Sequence, residues 1–262
     1  MAQPEFEYTT ENFKDYYERL KSYFGNGSDG AATRFLNMIS DGVPFAFSRF
    51  NDGEMSAFKK GDGQRIGRTA HTNIDENLRQ KLRDAMSHQQ KNYWVGMPCS
   101  TCFPDLYKIA REYVKEDYEY QTRAVALTNR NWAKFVLNFP ESVKKKDLHW
   151  ICSSDQNTQM LTDVFGMEFK QRIDLPNIDA WKHYDEIKDR YEEFEPGSVV
   201  GFSCGPMSRI LAPEWFSKRP DVTFIDIGSV YDPFTRNVWH ACHRGWTSPQ
   251  MFNETKRCME CN

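Results

Sequence analysis

Three residues within the stretch FAFSRFNDGE, residues 45–54, can together handle a phosphate ester and the cation that accompanies it: Arg49, Asp52 and Glu54. Two carboxylates two places apart in a sharp turn can both face one divalent cation, a hard ion that takes oxygen ligands. Arg49 adds a planar donor suited to phosphate. The plain alternative is a solvated turn, because Asp-Gly is ordinary turn chemistry. The element in front favours the chemical reading. Phe45, Ala46 and Phe47 read as a short buried strand, and an α/β sheet presents its ligands just beyond the carboxyl ends of its strands.

The same arrangement recurs along the chain. Apolar strands are expected at 45–47, 93–97, 124–127, 148–152, 169–175, 199–202 and 222–227, alternating with helices over 10–24, 31–39, 74–90, 104–114, up to 139, 177–194 and up to 216. Such alternation predicts βα units around a mainly parallel sheet with helices on both faces. Polar motifs close the strands: Ser48-Arg49 before the acidic turn, Thr128-Asn129-Arg130-Asn131, Ser153-Ser154-Asp155-Gln156-Asn157, Ser203-Cys204-Gly205-Pro206 and Asp226-Ile227-Gly228. In a doubly wound sheet these ends share one crevice, so motifs that are weak singly become neighbours. Gly205 at a strand-to-helix turn lets an anion approach backbone N–H groups; a tight turn that requires glycine explains it equally. The basic, glycine-rich run KKGDGQRIGR, 59–68, reads either as a phosphate-handling lid or as an exposed loop.

Composition bounds the classes. The 262 residues suffice for one α/β domain, 1–262. Balanced charge, 34 basic against 37 acidic residues, provides no global field for nucleic acid or anionic membrane. No stretch has the length of a membrane span, about 20 apolar residues. The N-terminal MAQPEFEYTTENF lacks the apolar region of a signal peptide, so a cytoplasmic location is expected. Neither GxGxxG after a strand, nor a Walker lysine motif, nor a GxSxG elbow occurs.

Seven cysteines point to thiols or metal ligands in that compartment. Cys99-x-x-Cys102 and Cys258-x-x-Cys261 have zinc-ligand spacing. A zinc ion held by all four would tie the Cys-rich tail, 231–262, to the body. A local site using Cys242, His240 or His243 with Cys258 and Cys261, or redox pairing within either motif, uses the same residues. Cys152 and Cys204, at strand ends, read as small apolar packing groups.

These motifs resemble a known superfamily. FSRFNDGE is similar to the signature of the GT-D glycosyltransferases, typified by bacterial glucosyltransferases that extend glycans on serine-rich adhesins. ALTNRN, LPNIDAWKHYDEI, SCGPMSRILAPEW and FIDIG continue the likeness in the same order over residues 43–230. CSTC and the segment beyond Tyr231 fall outside the pattern. The resemblance implies a Rossmann-like glycosyltransferase that uses a nucleoside-diphosphate sugar, a UDP-sugar in the first instance. It implies Asp52 and Glu54 as an Asp-x-Glu pair for Mn²⁺ or Mg²⁺, bound directly or through water, and Arg49 with Ser48 at the diphosphate. Asn129, Asp155, Gln156, Ser203 and Gly205 become candidates for the donor pocket, and Asp226 for the acceptor side. The acceptor is a glycan, a glycoprotein or a hydroxyl-bearing modified DNA base. Two other classes use the same residues: a hydrolase, for whose usual acid–base geometry Asp52 and Glu54 are too close, and a zinc-tethered binding module without catalysis.

Overall fold

The computed structural model describes residues 30–66 and 72–238, together with 10, 11, 14, 15 and 18, which are helical. Most of the expected first helix, His71 and the whole tail from 239, with Cys242, Cys258 and Cys261, lie outside the described residues.

Helix α1 (Ala31–Ser40) leads into β1 (Ala46–Arg49), and α2 (Asp52–Ala57) follows at once. A small antiparallel ribbon, β2 (Arg65–Ile66) with β3 (Thr72–Asn73), precedes α3 (Glu76–Ser87). Next come β4 (Tyr93–Met97), α4 (Pro104–Arg111), β5 (Gln121–Arg123), α5 (Trp132–Val143), β6 (Leu148–Ser153), α6 (Gln159–Phe165) and β7 (Gln171–Leu175). The chain continues through α7 (Tyr184–Ile187), β8 (Val199–Ser203), α8 (Met207–Lys218), β9 (Thr223–Asp226) and α9 (Asp232–Thr235).

Seven strands form one sheet in the order β5-β4-β1-β9-β8-β6-β7, and every pairing is parallel. Both faces are covered, so the central strands read as continuous apolar runs and are buried along their whole length. Connections that run toward the β5 edge pack on one face: α2, α3, α4 and α8 cover Ala46, Tyr93, Val95, Phe202 and Phe224. Connections that run toward the β7 edge pack on the other: α5 and α6, with α1, cover Phe47, Trp94, Trp150 and Ile225. Crossovers of one hand require this division, since reversing direction along the sheet reverses the face. After β1 the chain leaves by the first face, and after β9, its neighbour, by the second. A crevice therefore opens at their carboxyl ends.

The parallel sheet with helices on both faces is as the alternation implies. Four local expectations differ. The acidic turn after β1 is instead the first turn of α2, with Asp52 at the first helical position and Glu54 at the third. The fifth strand pairs through 121–123, and the apolar 124–127 run turns away, with Ala126 N bonding to Arg123 O. The basic run supplies β2, which pairs with β3 just beyond it. The long helix expected over 177–194 is broken into α7 and two 3-10 turns. Asp179, at φ 55°, breaks its start, its carboxylate accepting from Asn73 N (2.8 Å) and Asn73 Nδ2 (2.6 Å) on β3.

Candidate functional site

The carboxyl ends of β1, β9 and β8 bring four charged side chains into one buried cluster. Arg49 ends β1, Glu54 lies one turn on in α2, Asp226 ends β9, and Arg209 comes from the first turn of α8. Arg209 is the hub. Its Nε lies 3.0 Å from Asp226 Oδ2 and donates to the Arg49 carbonyl at 3.0 Å. Its Nη2 lies 3.3 Å from Glu54 Oε1, and its Nη1 donates to the Gly205 carbonyl. Asp226 Oδ2 also accepts from the Arg49 backbone N–H at 3.1 Å and stands 3.6 Å from Arg49 Nε. Two guanidinium groups thus face two carboxylates, which compensates the charge that burial would otherwise penalise.

Glu54 is further fixed by its own helix. Its Oε2 accepts the Asn51 backbone N–H at 3.3 Å, the return half of a capping box. Burial pushes the Glu54 carboxyl above its ordinary range; Arg209 pulls the other way, and neighbouring Asp226 adds to the rise. For Arg209, burial lowers the proton affinity, but Asp226 and Glu54 more than restore it. Among the described residues, Asp226 Oδ1 and Arg49 Nε are buried with no hydrogen-bond partner.

A second polar network flanks the first. Gln156 Nε2 donates to Ser203 Oγ (2.7 Å) and lies 3.4 Å from Asp232 Oδ1, and Ser203 Oγ donates to the Gly228 carbonyl (2.6 Å). Trp150 Nε1 reaches Gln156 Oε1 at 3.4 Å. At the rim, Arg236 Nη2 pairs with Asp155 Oδ1 at 2.7 Å. Trp132 Nε1 donates to the Val230 carbonyl at 2.7 Å, which anchors the segment after Asn129 to the loop that follows β9. Asn129 itself takes a left-handed backbone, φ 52°.

The structure thus gathers Arg49, Glu54 and Asp226 in one cluster, and Gln156, Ser203 and Asp155 in the adjoining network. Three expectations need correction. Asp52 and Glu54 do not face one cation together: residues i and i+2 of a helix point to different sides, and here Asp52 is exposed while Glu54 is turned inward to Arg209. Asp226, expected on the acceptor side, is closed off from solvent. It is fully buried in the floor of the crevice, because its strand position faces α8. Ser48 faces the same way, its hydroxyl donating to the Arg209 carbonyl at 3.0 Å beneath the crevice. Gly205, at φ 65°, contributes its carbonyl to Arg209.

Arg209, Asp232 and Arg236 escaped the sequence reading, yet one signal for Arg209 was present. Helix α8 is apolar around nearly its whole circumference, as a fully buried helix is, and a charged residue in such a helix must be paired.

Among the described residues no group of three or more His, Cys, Asp or Glu side chains can hold a metal ion. Asp52, exposed at the rim, fits a cation bound by one carboxylate together with ligand phosphates, the usual manner of Mg²⁺. Glu54, held by Arg209 and a backbone N–H, does not fit as a direct ligand in this arrangement.

Among the described residues no helix is long and apolar enough to cross a membrane. No protein-family model matches the chain, and no curated protein sequence does. Solved structures do. One, described as a new glycosyltransferase (DUF1792) from Streptococcus sanguinis, aligns at TM-score 0.60 and 18% identity over 80% of this chain and 85% of its own. Another, described as showing that the domain of unknown function 1792 has a distinct glycosyltransferase fold, aligns at TM-score 0.58 and 17% identity over 83% and 82%. A selenomethionine-substituted structure of the same kind of domain matches equally. The chain has the fold of these DUF1792 domains.

Proposed function

We propose that this protein is a glycosyltransferase that moves a sugar from a nucleoside-diphosphate sugar, a UDP-sugar in the first instance, to a hydroxyl acceptor. The observation that carries the reading is the Arg49–Glu54–Asp226–Arg209 cluster beneath the crevice where β1 and β9 part. It lies in a fold shared with proteins described as glycosyltransferases. A buried charge cluster is a poor means of gaining stability, since apolar residues of equal volume often serve as well or better. Its position at the ligand-binding end of the sheet supports a functional reason for its retention.

In the transfer, the bond between the anomeric carbon and the diphosphate oxygen breaks, and the electron pair leaves with the diphosphate. The acceptor oxygen bonds to the anomeric carbon and releases its proton to a base or to solvent. Arg49, at the strand end over Gly228, offers its guanidinium to the diphosphate. Arg209 holds Arg49's carbonyl and Glu54 in place, so the donors are set before the substrate arrives. Asp52 would hold Mn²⁺ or Mg²⁺ together with the phosphates, and the ion would offset charge on the leaving group. Asp155, Gln156, Ser203 and Asn129 border the crevice on the side of β6, β8 and the segment before α5, where a nucleoside would lie.

A panel of nucleotide sugars, each incubated with Mn²⁺, tests the reading through release of the nucleoside diphosphate. Release from one donor, abolished by EDTA and by Arg49→Ala in a folded protein, is expected. Full turnover in EDTA removes the metal. A chain that binds no nucleotide sugar at all removes the transferase. Glycan, glycoprotein and modified-DNA acceptors are separated by their ability to accelerate that release.

A further inference from the structure

We propose that Cys99 and Cys102 form a redox-active dithiol, which a low-molecular-weight disulfide such as oxidised glutathione converts to an intrachain disulfide. Both residues lie in the loop that joins β4 to α4, outside the charge cluster. The loop is curled as that bond requires. Residues 100–102 form a turn, and the Phe103 N–H closes it on the Cys99 carbonyl at 2.9 Å. Within the turn the Cys102 backbone N–H donates to Cys99 Sγ at 3.4 Å, which sets the second cysteine against the first sulfur. A turn holds the Cα atoms of residues i and i+3 within about 7 Å, and a disulfide spans roughly 4.4–6.8 Å between Cα atoms.

The two sulfurs differ in surroundings. Cys99 is buried, and its Sγ also receives Arg123 Nη1 at 3.2 Å. A backbone N–H and a guanidinium at one sulfur favour the thiolate, which is the nucleophile of disulfide exchange. Cys102 is half-buried, so it is the sulfur that a reagent from solvent meets first. The remaining described cysteines are built differently. Burial pushes Cys152 and Cys204 up to about 12, and neither has a second cysteine three residues on.

The exchange runs in two displacements. The Cys102 thiolate attacks one sulfur of the small disulfide, a mixed disulfide forms on Cys102, and the first small thiolate leaves. The Cys99 thiolate then attacks Cys102 Sγ: the Cys99–Cys102 bond forms, the mixed bond breaks, and the second small thiolate leaves. The cysteine pair gives up two electrons and two protons, and the reagent takes up both as two thiols. The bond also removes the charged sulfur that Arg123 faces. The pair adjoins the charge cluster, since β4 pairs with β1 through Gly96 and Arg49, and α4 packs on α2, which carries Asp52 and Glu54.

The test equilibrates the full chain, purified without chelators, against a series of reduced-to-oxidised glutathione ratios, quenches it with acid and maps the peptides without reduction. A Cys99–Cys102 bond is expected that forms at oxidising ratios and opens again at reducing ones, and Cys152→Ser should keep it. Cys99→Ser should stop at a glutathione adduct on Cys102, because the sulfur that displaces glutathione is gone. Should that variant fail to fold, the wild-type map decides alone. Arg123→Gln should slow alkylation of Cys99 and move the pH midpoint of that reaction upward, which loss of loop packing alone would not do. Several results would overturn the dithiol: both thiols reduced at every ratio, either one bonded instead to another cysteine, an adduct on wild-type Cys102 that never resolves, or zinc in the purified chain with both thiols shielded from alkylation. An unchanged midpoint in Arg123→Gln would overturn the assigned thiolate.

Discussion

The guanidinium of Arg49 fills the space that a β-carbon on Gly228 would need. Gly228 also has φ 54°, a left-handed conformation that other residues adopt at a cost. Its N–H is held by the Phe202 carbonyl at 2.9 Å and its own carbonyl by Ser203 Oγ, so the loop cannot easily retreat. Gly228→Ala should therefore expel Arg49 from its seat and destabilise the fold by about 1–3 kcal/mol. Denaturant unfolding measures the second effect. On the proposed function, calorimetry with the nucleotide sugar should show weakened binding as well. Unchanged stability together with unchanged affinity would contradict this packing.

Arg209 compensates both Glu54 and Asp226, so removing it should leave two carboxylates buried with their charge unbalanced. Arg209→Ala should cost about 3–5 kcal/mol, the range for breaking one side of a buried ion pair. Arg209→Lys should fall between that variant and the wild type. A lysine retains the charge, but a single ammonium cannot reach Asp226, Glu54 and the carbonyls of Arg49 and Gly205 at once. Urea midpoints for the three proteins give the order directly, and a lysine variant no better than alanine would count against the geometry.

How much of this was legible in the sequence depends on what each residue answers to. The sheet was, because βα alternation follows local apolar runs such as Tyr93–Met97 that stay strands whatever surrounds them. The meeting of Gln156 with Ser203, and of Arg49 with Asp226, follows from strand ends sharing one rim. The facing of Asp52 and Glu54 was not legible. It turns on whether helix α2 starts at residue 52 or later, and the Asn51–Glu54 capping interaction settles that within a single turn. The fate of 124–127 was equally hidden. A buried apolar turn and a buried strand have the same composition, and only the pairing with β4, which ends at Arg123, separates them.

Glu54 gives the site a defined pH signature. Its folded pKa is raised above the ordinary value of 4.5, chiefly by burial, with Arg209 opposing. The native state thus holds this proton more tightly than the unfolded chain does. The associated stability is fully present below the unfolded pKa and is lost as pH rises through the folded one. Glutamine cannot ionise. The unfolding free energy of Glu54→Gln, relative to wild type, should be flat below pH 4.5 and move in the variant's favour as pH rises above it. Parallel denaturation curves across that window check the sign. A difference that moves toward the wild type would mean that Arg209 outweighs burial.

Asp52 separates chemistry from folding. It is exposed at the first position of α2, where its carboxylate has only the modest benefit of a helix N-terminus. Asp52→Asn should therefore leave stability within about 0.5 kcal/mol, unlike Arg209→Ala. If Asp52 holds the cation against the diphosphate, Mn²⁺-dependent release of nucleoside diphosphate should fall on the order of 10²-fold, as when one preorganised electrostatic contact is removed. On the proposed function, the loss should appear in turnover more than in binding of the metal-free nucleotide, for which Arg49 would remain. The two measurements on one variant keep the alternatives apart. A stable Asp52→Asn protein with full Mn²⁺-dependent turnover would move the cation away from α2 while leaving the arginine cluster as the diphosphate's seat. An unstable one would show that the exposed carboxylate has a structural partner at the helix start.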